Sequence, residues 1–258
     1  MTSVSLKDLL DLATEAAYLG GRRALSYFNT GVTIERKRDD TPVTQADREA
    51  ETLIRERIQK YHPAHAILGE EHGATDGAGD GQVYRWLIDP IDGTKSFVTG
   101  VPLWGVLVGV EVRGAPSVGV IYLPALDEMV SAATGLGCTW NSRVARVSQV
   151  ATLGEATLLT TSVVECQARS AGFDALAAKA RLTRGWGDCY GYVLVATGRA
   201  EIMLDAAMKP WDSAPMLPIL TEAGGRFTDW RGRPTIWGED AIATNGALFA
   251  EVSRILGE

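Results

Sequence analysis

The chain has 258 residues, with 25 Lys and Arg against 32 Asp and Glu, a formal charge of −7 and an isoelectric point of about 5.1. Hydrophobic residues make up 46% and charged residues 22%, a balance that excludes a disordered or fibrous chain and fits one large domain or two close-packed halves. The acidic surplus argues against nucleic acid as a partner, and it makes a phosphate-bearing substrate awkward unless something cationic reverses the local field.

Ser5-Leu6-Lys7-Asp8 predicts a helix start, and Leu6, Leu9, Leu10, Ala13 and Ala17 continue it at helical spacing to about Tyr27. Residues 29–43 are polar and turn-rich, with Arg36, Lys37, Arg38, Asp39 and Asp40 in one loop. Thr44-Gln45-Ala46-Asp47 reads as a capping box for a second helix, which turns Ala50, Leu53, Ile54 and Ile58 inward and ends before His62-Pro63. Ala66–Gly69 is a short strand ending at Glu70-Glu71, and the glycine-rich residues 72–82 form a mobile loop. Tyr84–Ile88 is a buried strand running into Asp89-Pro90. Residues 103–112 and 116–123 read as neighbouring strands, and Met129–Ala133 as another. The second half holds a strand near 157–162, helices near 168–181 and 189–198, and a strand at Glu201–Leu204. A last predicted helix runs from Trp211-Asp212 to Ala223, stopped by Gly224-Gly225; Pro215 fits its first turn and Pro218 should kink it.

There is no repeat and no linker rich in Pro, Gly or Ser. The pattern predicts an α/β (or α+β) architecture of mixed sheets and helices in layers, with halves 1–137 and 138–258 packed as one body. Cys138, Cys166 and Cys189 form no CxxC pair, so neither a disulfide framework nor a zinc site is expected, and a reducing cytoplasm fits. The N-terminal residues lack the basic flank and apolar run of a signal peptide. The longest apolar stretch, 101–110, is about half the ~20 residues that a membrane helix needs, so no membrane partner is expected.

The strongest chemical signal is Asp89-Pro90-Ile91-Asp92-Gly93-Thr94: two carboxylates, three apart, where an apolar strand opens into a glycine turn. Pro90 fixes φ, Gly93 lets backbone approach a ligand closely, and a helix starting near Thr94-Lys95 would point free N–H groups at whatever the carboxylates hold. Carboxylates beside an anion-cradling helix start repel phosphate unless metal lies between, and hard oxygen ligands select Mg2+. Glu70-Glu71 ends a strand and Asp212 opens a helix, the places where α/β ligand sites collect. Taken singly, each has a plainer reading: Asp89 and Asp92 as turn residues, Glu70-Glu71 as a solvated strand end, and Asp212 as a helix cap.

Taken together, Gly69-Glu70-Glu71, Asp89-Pro90-Ile91-Asp92-Gly93-Thr94 and Trp211-Asp212-Ser213-Ala214 resemble the three signatures of the inositol monophosphatase family of Mg2+-dependent, lithium-sensitive phosphatases. Thr41-Pro42-Val43-Thr44-Gln45-Ala46-Asp47 matches upstream, and the resemblance runs from the first helix to Gly224-Gly225. It implies a layered αβαβα sandwich, a homodimer, and two or three Mg2+ ions per active site. It also implies that Glu70, Asp89, Thr94 and the Ile91 carbonyl serve one metal and Asp89, Asp92 and Asp212 a second, with Glu70 sharing in a third. Gly93 and Thr94 would donate to the phosphate, and Asp47 would pair with Thr94 to activate the attacking water. No Cys or Ser sits in a nucleophile motif, which favours direct attack by water.

Residues 89–105 (DPIDGTKSFVTGVPLWG) and 184–199 (RGWGDCYGYVLVATGR) resemble the histidinol-phosphatase branch of that family. Asp188 stands where inositol phosphatases have a small neutral residue, and Asp205 falls at the family's usual substrate-contacting Glu. Histidinol phosphate carries an ammonium and an imidazole, which would give two carboxylates charge-assisted hydrogen bonds worth about 1.5–3 kcal/mol each. Asp188 also fits a turn cap, and Asp205 a strand end. Glu70, Asp92 and Asp212 would share the substrate's surroundings. Arg184 either reaches the substrate across a dimer contact or is a plain surface arginine. Lys37 and Asp40 either close over the site or are a solvated charge run. His62, His65 and His72 have no zinc spacing. The expected activity is Mg2+-dependent hydrolysis of L-histidinol phosphate, a small phosphorylated metabolite of histidine biosynthesis, with inositol 1-phosphate or sugar phosphates as the alternative.

Overall fold

Helices cover both faces of the two larger sheets, and this explains why their central strands read as continuous apolar runs. The computed structural model describes residues 4–37, 40–79 and 83–257. Helix α1 (Leu6–Leu25) starts where the Ser5 hydroxyl accepts the Asp8 N–H. A hairpin of β1 (Ile34–Arg36) and β2 (Pro42–Thr44) leads into α2 (Gln45–Tyr61). The Thr44–Asp47 capping box forms as expected: the Thr44 hydroxyl accepts the Ala46 N–H and the Asp47 carboxylate accepts the Thr44 N–H.

Next come β3 (Ala66–Gly69), β4 (Gly73–Thr75), β5 (Tyr84–Asp92), the short α3 (Thr94–Val98), β6 (Gly105–Val112), β7 (Ala115–Leu123), β8 (Glu128–Ala133), β9 (Gly137–Trp140) and β10 (Arg143–Val144). They build an eight-stranded sheet in the order β10-β9-β8-β7-β6-β5-β3-β4, antiparallel except for the β3–β5 pair. The remaining chain runs β11 (Thr157–Thr160), α4 (Val163–Arg169), α5 (Phe173–Lys179), β12 (Leu182–Arg184), α6 (Asp188–Ala196), β13 (Ile202–Asp205), α7 (Pro210–Glu222), β14 (Arg226–Thr228), β15 (Ala241–Thr244) and α8 (Phe249–Leu256). Its five-stranded sheet has the order β12-β11-β13-β15-β14.

The layers are αβαβα. Leu9, Ala13 and Ile54 of α1 and α2 pack on Trp86, Val106, Val108 and Val120 of the large sheet. On its other face, Leu107 and Ile121 meet Val193 of α6 and Met216 and Ile219 of α7, which also pack on Leu159 and Met203 of the small sheet. Phe173, Leu176 and Val252 of α5 and α8 cover the outer face of the small sheet. Alternate β6 residues thus serve two different cores, as the two-residue strand period requires. Among the described residues, no helix is long and apolar enough to cross a membrane.

Several expectations are corrected. The helix read near 168–181 is two helices, because the chain breaks at Ser170–Gly172, where Gly172 packs so tightly on α8 that a Cβ would lie 2.0 Å from the Ile255 carbonyl oxygen. Leu53 faces outward and is 37% exposed. Residues 72–82 are not wholly loop, since Gly73–Thr75 pairs with β3 as an edge strand; residues 80–82, like Arg38 and Asp39, lie outside the described residues. The short β9 and β10 had no sequence signal. Pro215 lies in the second turn of α7, not the first, and the helix continues through both Pro215 and Pro218.

Directly opposite each other in the β6–β7 ladder are Gly109 and Gly119. A Cβ on Gly109 would lie 2.5 Å from Ala214 Cβ, and one on Gly119 would lie 2.2 Å from the Pro215 carbonyl oxygen. This bare patch lets α7 sit against the sheet and sets the height of Asp212 at its start. Gly119→Ala is therefore expected to displace α7 and cost about 1–3 kcal/mol. Thermal unfolding checks this; an unchanged melting temperature would contradict it.

Candidate active site

The apolar run of β5 carries Asp89 to the end of the sheet, and the β5–β6 register shifts between Asp89 and Asp92. There Asp89 Oδ1 accepts the Ile91 N–H at 3.0 Å, and Gly93 takes φ +81°, a left-handed conformation that suits glycine and turns the chain into α3. On the neighbouring strand, the Glu70 N–H donates to the Ile88 carbonyl at 3.1 Å and brings the end of β3 beside Asp89. Asp212, in the first turn of α7, caps that helix by accepting the Lys209 N–H at 2.8 Å. The plainer role, a helix cap, is formed, and the same carboxylate lies beside Asp89 and Asp92. One carboxylate oxygen from each of Asp89, Asp92 and Asp212 lies within 4.8 Å of the others.

These groups floor a cleft of about 680 Å³, lined also by Lys37, Glu70, Thr94 and Asp188. A side chamber of about 90 Å³ shares Asp92, Asp188 and Asp212 with it and is walled by Asp205, Tyr192 and Glu165. Burial first, then the charges of Glu70, Asp92 and Asp212, hold the Asp89 carboxyl well above its ordinary range. Asp92 is raised by burial and by Asp188 and Asp212. Asp212 is pushed up to about 7, mainly by burial, with the Lys209 N–H opposing. Burial also takes Asp205 to about 7, and Asp188 and Asp47 to about 6. Burial alone would lower Lys37, but its hydrogen bonds to Glu70 and Glu71, both 2.6 Å, raise it instead.

Among the described residues, no Lys or Arg forms an ion pair with Asp89, Asp92 or Asp212. Converging carboxylates without a counter-cation must either bind protons or bind metal. An all-oxygen donor set of this kind fits a hard divalent cation such as Mg2+. The two alternatives separate by pH. Asp89, Asp92 and Asp212 each have a folded pKa above the unfolded value of about 3.9, so their stabilising contribution is present at low pH and is lost as pH rises through the folded value, about 7 for Asp212. The cation-free protein is expected to melt at progressively lower temperature from pH 5 to pH 8, and saturating Mg2+ should remove most of that decline. Melting curves in EDTA and in Mg2+ decide the matter; a flat or rising EDTA series would refute it.

The structure brings Glu70, Asp89, Asp92, Gly93, Thr94, Asp188 and Asp212 to one cleft, with Asp205 in the side chamber. Asp188 opens α6 with φ +49°, a conformation Asp tolerates better than most residues, and its N–H donates to Thr161 Oγ1 at 2.8 Å. Asp205 accepts the Tyr192 hydroxyl at 2.7 Å and the Thr161 N–H at 3.3 Å. Asp47 is 1% exposed, and its Oδ2 is held by Thr44. The expected Asp47–Thr94 hydrogen bond is not formed, because Thr94 Oγ1 donates to the Ile91 carbonyl at 2.9 Å. That carbonyl is the one implied as a metal ligand. Arg184 lies outside the cleft, exposed on β12, and donates to its neighbour's carbonyl at Thr183. Lys37 does reach the site, whereas Asp40 pairs with Arg36. His62 and His65 stack at 4.2 Å, and Trp86 Nε1 donates to His65 Nδ1 at 3.0 Å.

Among the lining residues that escaped the sequence reading are Thr161, Ser162 and Glu165. Their signal was present, since Ser162 caps α4 by accepting the Glu165 N–H at 3.3 Å. Placing that helix near 168 hid it.

Residues 5–256 match the profile of the inositol monophosphatase family. The chain is 44% identical over 252 residues to a histidinol-phosphatase of Chlorobaculum parvum, covering 96% of each chain. It is 37% identical to a histidinol-phosphatase of Streptomyces coelicolor, over 100% of this chain and 98% of that one. An inositol monophosphatase structure from Anabaena superposes with a TM-score of 0.85 at 33% identity, covering 98% of this chain and 96% of that one. With the same layers, the same motif order and a match along almost its whole length, this chain belongs to the inositol monophosphatase family.

Proposed function

We propose that this protein is a Mg2+-dependent phosphomonoesterase that hydrolyses L-histidinol phosphate to L-histidinol and phosphate. The observation that carries the reading is the cleft itself: the Asp89–Asp92–Asp212 cluster, with Asp188 lining the same cleft beside it and Asp205 in the adjoining side chamber. The first group suits a phosphate neutralised by cations. The second suits a leaving group that carries an ammonium and an imidazole, and the relatives named histidinol-phosphatase agree with it.

In this reading Glu70, Asp89, Asp92, Asp212 and the Ile91 carbonyl hold two or three Mg2+ ions. When bound, the cations offset phosphate charge and supply Lewis acidity. Gly93 and Thr94 present backbone N–H groups to the phosphate oxygens at the start of α3. The Thr94 hydroxyl exchanges its bond to the Ile91 carbonyl for one to Asp47, whose carboxyl at about 6 is suited to accept a proton near neutral pH. Glu70, on the cleft wall, orients the attacking water. Asp188 and Asp205 accept from the substrate's cationic end. We further assign the protein to the cytoplasm, to histidine biosynthesis and to a homodimer in which Arg184 serves the partner copy's cleft. The half 1–137 carries most of the metal ligands, and the half 138–258 adds Asp212 and the substrate-contacting Asp188 and Asp205.

Phosphate release from histidinol phosphate, inositol 1-phosphate and a nucleoside bisphosphate, in Mg2+ and in EDTA, tests this directly. Histidinol phosphate should be fastest, and EDTA should abolish the reaction. Faster turnover of inositol 1-phosphate would overturn the substrate assignment, and full activity in EDTA would overturn the mechanism.

A further inference from the structure

Glu51 lies on α2 with its side chain fully buried, yet its carboxylate is committed to chain outside that helix. Oε2 accepts the Glu71 N–H at 2.7 Å, and Oε1 accepts the His72 N–H at 3.2 Å. Oε1 also accepts Arg55 Nε at 2.6 Å, one helical turn along α2. The Arg55 guanidinium extends the same grip, donating to the Gly73 carbonyl and, at 3.2 Å, to Thr75 Oγ1. Gly69 completes the fit: a Cβ there would lie 2.0 Å from Glu51 Oε1, so the end of β3 passes directly over the carboxylate.

Glu70 therefore sits between two clamps. Its own N–H is fixed by the Ile88 carbonyl of β5 at 3.1 Å, and the next N–H along is fixed by Glu51. A buried ion pair is a poor device for stability alone, because apolar residues of similar volume do as well or better. It is a good device for holding two backbone amides in one orientation, since any rotation leaves charge and N–H groups buried and unpaired.

We propose that Glu51, braced by Arg55, is a positioning residue that holds the Glu70 carboxylate in its cation-binding orientation through the Glu71–His72 backbone. The inference rests on the reading of Glu70 as a cation ligand. Partners that orient metal-binding groups typically change metal affinity about 10- to 100-fold when removed.

The test is a Mn2+ titration of the full chain, followed by electron paramagnetic resonance, on the wild type, Glu51→Gln and Glu70→Gln. Glutamine keeps the volume and one acceptor but removes the charge facing Arg55. Both variants should lose about 10- to 100-fold in affinity at one class of cation site, while the class built by Asp89, Asp92 and Asp212 keeps its affinity. In steady-state assays the Mg2+ activation constant should rise while KM for the phosphate ester moves less. Glu51→Asp should recover part of the loss. Wild-type Mn2+ binding by Glu51→Gln, with binding impaired in Glu70→Gln, would overturn the inference and leave the reading of Glu70 standing. Wild-type binding by Glu70→Gln would sink that reading and the inference with it. An equal loss at every cation site in Glu51→Gln would mark Glu51 as a general structural residue and also overturn the proposal. Should Glu51→Gln not fold, Arg55→Lys keeps a cation beside Glu51 but loses the Gly73 and Thr75 bonds; it should shift the same affinity by a smaller factor, and an unchanged affinity would count against the proposal.

Discussion

Asp92→Asn is expected to cut phosphate release at saturating Mg2+ by about a hundredfold or more, and to raise the melting temperature of the cation-free protein. The two effects have one cause. The Asp92 carboxyl is held high by burial and by the charges of Asp188 and Asp212, so as an anion it destabilises the cation-free cleft, whereas in the proposed reading bound cations require it as a ligand. An amide removes that repulsion and still accepts the Cys189 N–H, which ties Asp92 to α6. The fold should therefore survive, and the gap between melting temperatures in Mg2+ and in EDTA should narrow. Near-normal turnover would exclude Asp92 from the metal cluster. A lower melting temperature in EDTA would show that the Cys189 contact outweighs the repulsion.

The second large effect concerns which ester is read. Asp188→Asn and Asp188→Ala should each lower kcat/KM for histidinol phosphate about 10- to 100-fold more than for inositol 1-phosphate, the amount expected from one charge-assisted hydrogen bond. Two variants are needed because Asp188 sits at φ +49°, where Asn is tolerated and Ala is strained. A loss shared by both variants reports the missing charge; a loss confined to Ala reports the backbone. Equal losses on the two esters would mean that the carboxylate does not read the cationic end at all. Lys95, whose charge opposes the burial that raises the Asp188 carboxyl, is the group that a substrate ammonium would have to out-compete in the proposed reading.

Most of the site was legible because its pieces are short and local. Asp89 through Thr94 is contiguous, so strand end, turn and helix start could all be read from one hexapeptide, and the Thr44–Asp47 box announced α2 in the same way. The failures are long-range. Nothing near Ser170–Gly172 says that α8, more than eighty residues later, will pack against that bend and split a helix in two. The close seat of α7 at Ala214 and Pro215 depends on Gly109 and Gly119, about a hundred residues earlier in the chain, clearing space on the sheet. The Thr94 hydroxyl could be placed near Asp47 but not aimed, since its choice of the Ile91 carbonyl is settled by turn geometry. Glu51 looked like any helix glutamate, because its partners lie twenty residues ahead at Glu71 and His72.

The large sheet supplies Glu70, Asp89 and Asp92, whereas Asp188 and Asp205 come from the segment that builds the small sheet and its flanking helix. In the proposed reading most of the cation ligands and the groups that read the leaving group thus come from different slabs of the molecule. A lineage of such proteins can redraw the wall around α6 and β13 to admit a new alcohol while leaving the hydrolytic machinery untouched, so a change of diet need not begin with a loss of competence.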